Sequence, residues 1–370
     1  RALIGIDGHP ASELRGLHAW LAVLLPECAS ILIHSDPYGV LTYGDPVSLT
    51  ATSRKHLLQS LGRLSEVDPW FRSGTWSLPA LGALSTPDMV DDIRNILQSP
   101  SANFALRSTA LQALVFGTPL PSLQPELESI LVNEQATYSE RSDALDALER
   151  YGASAEAAAL QAFKSLSNTA NSLRLRSEIL AALYRKHFKP SDVCAYLSEV
   201  LASDHEVPVG TLWRLEPDLQ LEDVLAILDG MPQAEKKARN KAERRNASEI
   251  SYLFDRLLVR ALNDGGSRVD GLRLWAWLAT RRRFHNGYSS SVNDSAKEAL
   301  GRRKELLIQT VPPAVKQLVV DQTRWRFIHR LREATMHQID EQDLLEALLQ
   351  TTLGSQIDPE KQQFLFELTL

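Results

Sequence analysis

Three octets constrain this chain more than anything else in it: RSTALQAL from Arg107, RSDALDAL from Arg141 and RSEILAAL from Arg176, spaced 34 and 35 residues apart. Within each, the apolar letters recur at helical spacing: Ala110, Leu111 and Leu114; Ala144, Leu145 and Leu148; Ile179, Leu180 and Leu183. Each octet therefore predicts one face of a helix. A second apolar series, Leu131, Leu166 and Leu201, repeats every 35 residues and predicts a second helix per repeat. A lone pair of such helices cannot bury its own apolar stripes, whereas stacked copies share one core. The expected fold class is all-α: an α-solenoid of stacked helical hairpins over 87–230, preceded by a helical segment at 1–86 and followed by an irregular helical extension at 231–370.

Composition agrees with helix-on-helix packing. Hydrophobic residues make up 44% of the 370 and aromatics only 7%, with Leu and Ala dominant. The two cysteines, Cys28 and Cys194, lie in apolar helical patterns without metal spacing, and read as buried free thiols of a reducing compartment. No uncharged apolar run approaches the roughly 20 residues of a membrane helix, and GLHAWLAVLLPECASILI is broken by Pro26 and Glu27. The expectation is a cytoplasmic protein with no membrane partner. Opening on Arg1 and carrying no signal-peptide pattern, the chain reads as a piece of a longer protein.

Local signals place further elements. Ser12 is positioned to cap ELRGLHAWLAVLL, Pro26 to open ECASILI, Asp36-Pro37 to start YGVLTY, and Thr50 or Thr52 to start SRKHLLQSLGRLSEV. DPWFRSGTW is a connector whose Trp70, Phe71 and Trp76 are expected to fill gaps between helices. HNGYSSSVND reads as a polar loop, and ALIGI is the one weak strand signal.

Charge is unevenly distributed. Residues 231–332 carry 22 Lys or Arg against 10 Asp or Glu, while the remainder carries 18 against 36. Arg281, Arg282 and Arg283 follow Trp275 and Trp277; Arg324, Arg326, Arg330 and Arg332 surround Trp325 and Phe327. Cations beside aromatics can hold phosphate backbones and stack bases. Helical spacing favours a different reading, with Trp275 and Leu278 sharing a face with Leu272, and Phe327 with Leu331, as core. The arginines are then a solvated face or a docking surface for acidic protein, and Arg281, Arg282, Arg283, Arg324, Arg326 and Arg330 are the candidate partner-binding residues.

Catalytic patterns are missing from the sequence. There is no G-x-x-x-x-G-K-[ST] to cradle a triphosphate, no H-E-x-x-H, no C-x-x-C and no G-x-S-x-G. At His205 the letters HEVP continue to Val209, where a metal helix needs its second His. No catalytic residue, cofactor or metal site is expected.

The octets with their flanks, as in SERSDALDALERYGASAEAAALQAFKSL, resemble HEAT/ARM-like repeats over roughly 87–202. They depart from that pattern where an acidic residue often stands one turn before the Arg; Asn103, Thr137 and Ser172 occupy those places and suit helix caps instead. The layout as a whole is similar to the helical region downstream of the ATPase core in large bacterial NACHT-type STAND proteins. LRGLHAWLAVLLPE, DPYGVLTYGD, DPWFR, LRLRSEILAALYRKHFKPSDVCAYL and RWRFIHRLREAT carry that resemblance. It implies that an effector and a nucleotide-switched ATPase lie elsewhere in the parent protein, and that this piece is a sensor or regulatory arm. Such arms recognise invader molecules, often phage proteins, and recognition drives oligomerisation. The expected partner is thus a protein, from a phage or from the same chain. The competing class is a HEAT-like DNA-binding or DNA-repair protein working through the basic segment 231–332, with Asp270, Trp275 and Trp277 as its candidates.

Overall fold

Capping side chains and prolines set many of the helix starts, and the structure, a computed structural model, follows them closely. It describes residues 3–6, 8–72, 78–207, 215–238, 247–284, 291–317, 324–354 and 357–369. The described residues are all-α; in place of a strand at ALIGI there is one isolated bridge between Ile4 and Pro10. The chain forms two compact units, Arg1–Leu166 and Ser167–Leu370. Their boundary falls between the second and third octets.

The first unit begins with α1 (Arg15–Leu24), α2 (Pro26–Ser35), α3 (Pro37–Tyr43) and α4 (Ala51–Val67). Pro26 and Pro37 stand at first helical positions, where a missing N–H costs nothing. Asp36 caps α3 by accepting from the Gly39 N–H, and Thr50 caps α4 through the Ser53 N–H. Ser12 does not cap a helix: it sits in a 3-10 turn before α1. The unit continues with α5 (Val90–Gln98), α6 (Phe104–Phe116), α7 (Gln124–Val132), α8 (Tyr138–Leu148) and α9 (Ala153–Ser165). Helices α6 and α8 carry the first two octets. Helix α5 packs on α6 and α7, α6 on α8, and α7 on α8 and α9.

The octet faces are interior as their spacing requires. Leu111, Leu114 and Ala144 are fully buried, as are Ile179 and Leu180 of the third octet in the second unit. The connector aromatics divide: Phe71 packs edge-on against Tyr38 at 5.6 Å, Trp70 is exposed, and Trp76 lies outside the described residues. Asn103 and Thr137 cap α6 and α8, and Thr137 forms a reciprocal box with Glu140. Close backbone approach fixes the 3-10 turn Pro79–Leu84 on the end of α6. A Cβ at Gly117 would lie 2.2 Å from Ser85 Cβ and 2.5 Å from Gly82 O.

The second unit comprises α10 (Ala170–His187), α11 (Pro190–Leu201), α12 (Leu221–Ala238), α13 (Ala247–Asp264), α14 (Gly271–Phe284) and α15 (Ser291–Gly301). It ends with α16 (Lys304–Ile308), α17 (Val311–Lys316), α18 (Arg324–Ala334), α19 (Glu341–Gly354) and α20 (Pro359–Thr369). The third octet lies in α10, which starts earlier than expected: its cap is Thr169, accepting from the Ser172 N–H, and not Ser172 itself. Met231 is buried within α12. Helices α11 and α12 touch so closely that a Cβ at Gly230 would fall 2.4 Å from Cys194 Sγ. Cys28 and Cys194 are free thiols, half-buried and not fully buried as expected, and partial burial pushes Cys194 up to about 11.

These approaches give a test. Gly117→Ala must displace backbone and should cost about 1–3 kcal/mol. Gly62→Ala in mid-α4 meets only the Leu106 methyls, at 3.6 Å or more, and should stabilise by about 0.5–1 kcal/mol. Chemical denaturation of the two variants should move in opposite directions; equal effects would contradict the tight turn.

Candidate functional site

Five arginines of the basic stretch find acids or backbone carbonyls some 40 residues earlier in the chain. Arg256 donates to Glu216 across 40 residues of sequence, at 2.9 Å. Arg268 pairs with Glu222 and Arg273 with Asp229, 46 and 44 residues away. Arg260 donates to the carbonyls of Glu216 and Leu219, and Arg303 to those of Leu262 and Gly266. Lys304 is held by Asp340 and Asp343 at 2.9 and 2.7 Å. Part of the positive charge within 231–332 is therefore matched by acids flanking that segment. A groove of about 380 Å³ beside Arg256 and Arg260 is lined by guanidinium groups already bonded in this way.

Arg281 leaves the expected surface set altogether. It is 2% exposed, and its guanidinium grips Asp255 through two bonds of 2.5 and 2.9 Å, with a third to Asn293 Oδ1 at 3.0 Å. Asp255 and Asn293 are buried as well, so this is an interior clasp joining α13, α14 and α15. A bidentate pair supplies the geometry a buried charge requires. Arg282, half-exposed, faces Glu333 of α18 at 3.2 Å, and Glu333 also receives His329 at 3.4 Å. The backbones of Arg283 and Arg324 belong to α14 and α18; their side chains lie outside the described residues.

The inward face of α14 differs from the expected one. Leu272 is exposed, and Trp275 is half-buried with its indole N–H donating to Gln317 at 3.0 Å. The interior stripe is Leu274, Trp277, Leu278 and Arg281. Trp277 is fully buried and donates to Asp229 Oδ1 at 2.9 Å, with the Arg273 guanidinium over its ring at 5.5 Å. Asp270 caps α14 by accepting from the Arg273 N–H at 2.8 Å. The three residues that a DNA-repair chemistry would need are thus a cap, a half-buried strut and a core side chain.

What remains is the outer side of α18. Phe327, Leu331 and Ala334 form its buried stripe, as Phe327 and Leu331 were expected to. Arg326 is exposed and Arg330 partly so. With Glu333 they follow at i, i+4 and i+7 and share one helix face. Among the described residues no acidic side chain pairs with Arg326 or Arg330. Also among those residues, no group of three or more His, Cys, Asp or Glu could hold a metal ion, and no helix is long and apolar enough to cross a membrane. Compared with known family models, curated proteins and solved structures, the chain matches none.

Buried and surface arginines should separate cleanly on mutation. Arg281→Ala strands Asp255 and should cost about 3–5 kcal/mol. Arg326→Ala should cost about 0.5 kcal/mol or less. Both are read in the urea transition of the second unit, and comparable losses would contradict the clasp.

Proposed function

We propose that this chain is a protein-recognition arm, a HEAT-like α-solenoid acting as sensor or regulator in a cytoplasmic bacterial NACHT-type STAND NTPase of anti-phage defence. It performs no catalysis itself. Contacts at the repeat period support the solenoid. In the first unit Arg54 reaches Asp88, Lys55 reaches Asp92, Arg94 reaches Glu126 and Arg107 reaches Glu140, each 32 to 37 residues along. In the second, Arg185 reaches Asp218 at 3.4 Å, 33 residues on. Side chains that reach one repeat ahead are what stacking of like hairpins requires.

The observation that carries the recognition reading is the contrast between α18 and the rest of the basic stretch. Several described cations of that stretch are bonded to acids and carbonyls, while Arg326 is exposed, Arg330 partly so, and among the described residues no acidic side chain pairs with either. Arginines presented together on one helix face give charge complementarity and on-rate to an acidic protein partner. Arg282 and Glu333 border the same surface.

Reversing charge at Arg326 and Arg330 in the full-length parent protein should weaken its response to its trigger about tenfold or more. Melting and helical content of the 370-residue chain should not change. An unaltered response would contradict this reading. So would nanomolar binding of duplex DNA at about 0.15 M salt, since contact by surface charge alone weakens steeply as salt rises.

A further inference from the structure

Helix α1 of the first unit has an apolar outer face. Its inner side, turned to α2 and α3, carries the buried His18, Ala19 and Ala22. The outer side carries Leu17, Trp20 and Leu24, which are 52%, 48% and 65% exposed, with the half-buried Leu21 among them. These four stand at i, i+3, i+4 and i+7 and form one continuous stripe along two turns of helix. Single exposed apolar residues are ordinary, whereas a contiguous stripe of large ones marks an interaction surface. The helix is also held firmly from behind. Arg15 grips Asp36 at 2.7 and 3.0 Å, and His18 Nε2 lies 2.8 Å from Ser35 Oγ at the end of α2.

Acids border the stripe at both ends. Glu13 stands just before α1 and Glu27 in the first turn of α2, and both are exposed. Between residues 11 and 50 the sequence has a single Lys or Arg, the Arg15 already held by Asp36. Among the described residues no cation pairs with Glu13 or Glu27. This charge pattern selects the occupant. A second copy packed antiparallel on α1 would set Glu13 against Glu27, and one packed parallel would set each acid against its own copy. An anionic bilayer surface would repel both, and helices that lie in such a surface carry Lys and Arg on the polar side. A cationic helix is attracted at both ends.

We propose that the outer face of α1 docks an amphipathic helix of a partner protein, one with an apolar stripe at the same spacing and Lys or Arg at its ends. The apolar side chains of that helix fit between Leu17, Trp20, Leu21 and Leu24, as ridges fit grooves when two helices pack. Its terminal cations meet Glu13 and Glu27, which fixes register and excludes helices with acidic ends. Trp20 is the anchor, since large aromatics near the centre of an interface carry much of its binding energy. This surface takes a cationic partner and α18 an acidic one, so the two proposals stand or fall separately.

Fluorescence anisotropy tests the docking face, using the full 370-residue chain and two labelled helical peptides of about 18 residues. Both peptides carry Leu at i, i+3, i+4 and i+7; one ends in Lys on both sides and the other in Glu. The Lys-ended peptide should bind at least about tenfold more tightly than the Glu-ended one at about 0.15 M salt. Trp20→Ala and Leu24→Ala should each weaken its binding about tenfold. A chain carrying Glu13→Lys with Glu27→Lys should reverse the preference and bind the Glu-ended peptide better. Both of those positions are exposed, so this chain carries the test even if Trp20→Ala unfolds. Absence of binding, equal binding of the two peptides, or binding unaffected by the charge reversal would overturn the proposal. So would self-association in sedimentation, or adsorption to phosphatidylserine vesicles, that Leu24→Ala abolishes, because the face would then belong to a second copy or to lipid.

Discussion

The ends of helices are the constraint on which this architecture depends. The last carbonyls of every helix lack an intrahelical partner, and burying them unbonded costs free energy. In the first unit the octet arginine supplies the donor. Arg107 bonds the Leu97 carbonyl at 3.1 Å and Arg141 the Leu131 carbonyl at 3.0 Å, each ten residues back at the end of the preceding helix. One side chain thereby fixes the register of a helix on its predecessor while the next letters of the same octet supply the buried stripe. Conserving that spacing along the chain conserves the packing.

Glu140 shows how such a site accommodates charge. Burial pushes its carboxyl up, but the Thr137 N–H and hydroxyl and the Arg107 guanidinium outweigh that and hold it below the usual range. Asp143, one turn further along α8, lacks an equivalent set of donors and moves the opposite way. The two carboxyls differ in what their octet position places opposite them, since Glu140 closes a capping box and Asp143 shares Gln112 with Arg72. Repetition of the sequence gives a repeated frame, and the departures from repetition place the unusual chemistry.

Helix faces and caps were legible because they depend on neighbours within a turn: the octet leucines, Asp36, Thr50, Asn103 and Thr137 all behave as their local pattern requires. The α14 face was not. The spacing of Leu272, Trp275 and Leu278 is as helical as that of Leu274, Trp277 and Arg281, and only the second series contains a charge. What decides between them is tertiary: Gly271 lies so close to Gln309 that a Cβ would meet its carbonyl oxygen at 2.2 Å, Asp255 waits inside for Arg281, and the exposed Asp229 accepts from the Trp277 indole. The basic stretch misleads for the same reason. A charge count over a segment is blind to acids 40 or more residues away, so pairs such as Arg273 with Asp229 look like surplus in sequence and are matched in space. The run Arg281 to Arg283 reads as one surface, yet its first member is core.

Hydrogen exchange by mass spectrometry, comparing the chain with its Arg141→Ala variant, tests the shared-core account most directly. If the octet arginine joins neighbouring helices, protection should fall in the last turn of α7, in α8, and in α6 and α9 that pack against this pair, while the second unit keeps its protection. Loss confined to the first turn of α8 would contradict the account, since each helix would then stand on its own stripe and the repetition of the octets would have no structural consequence.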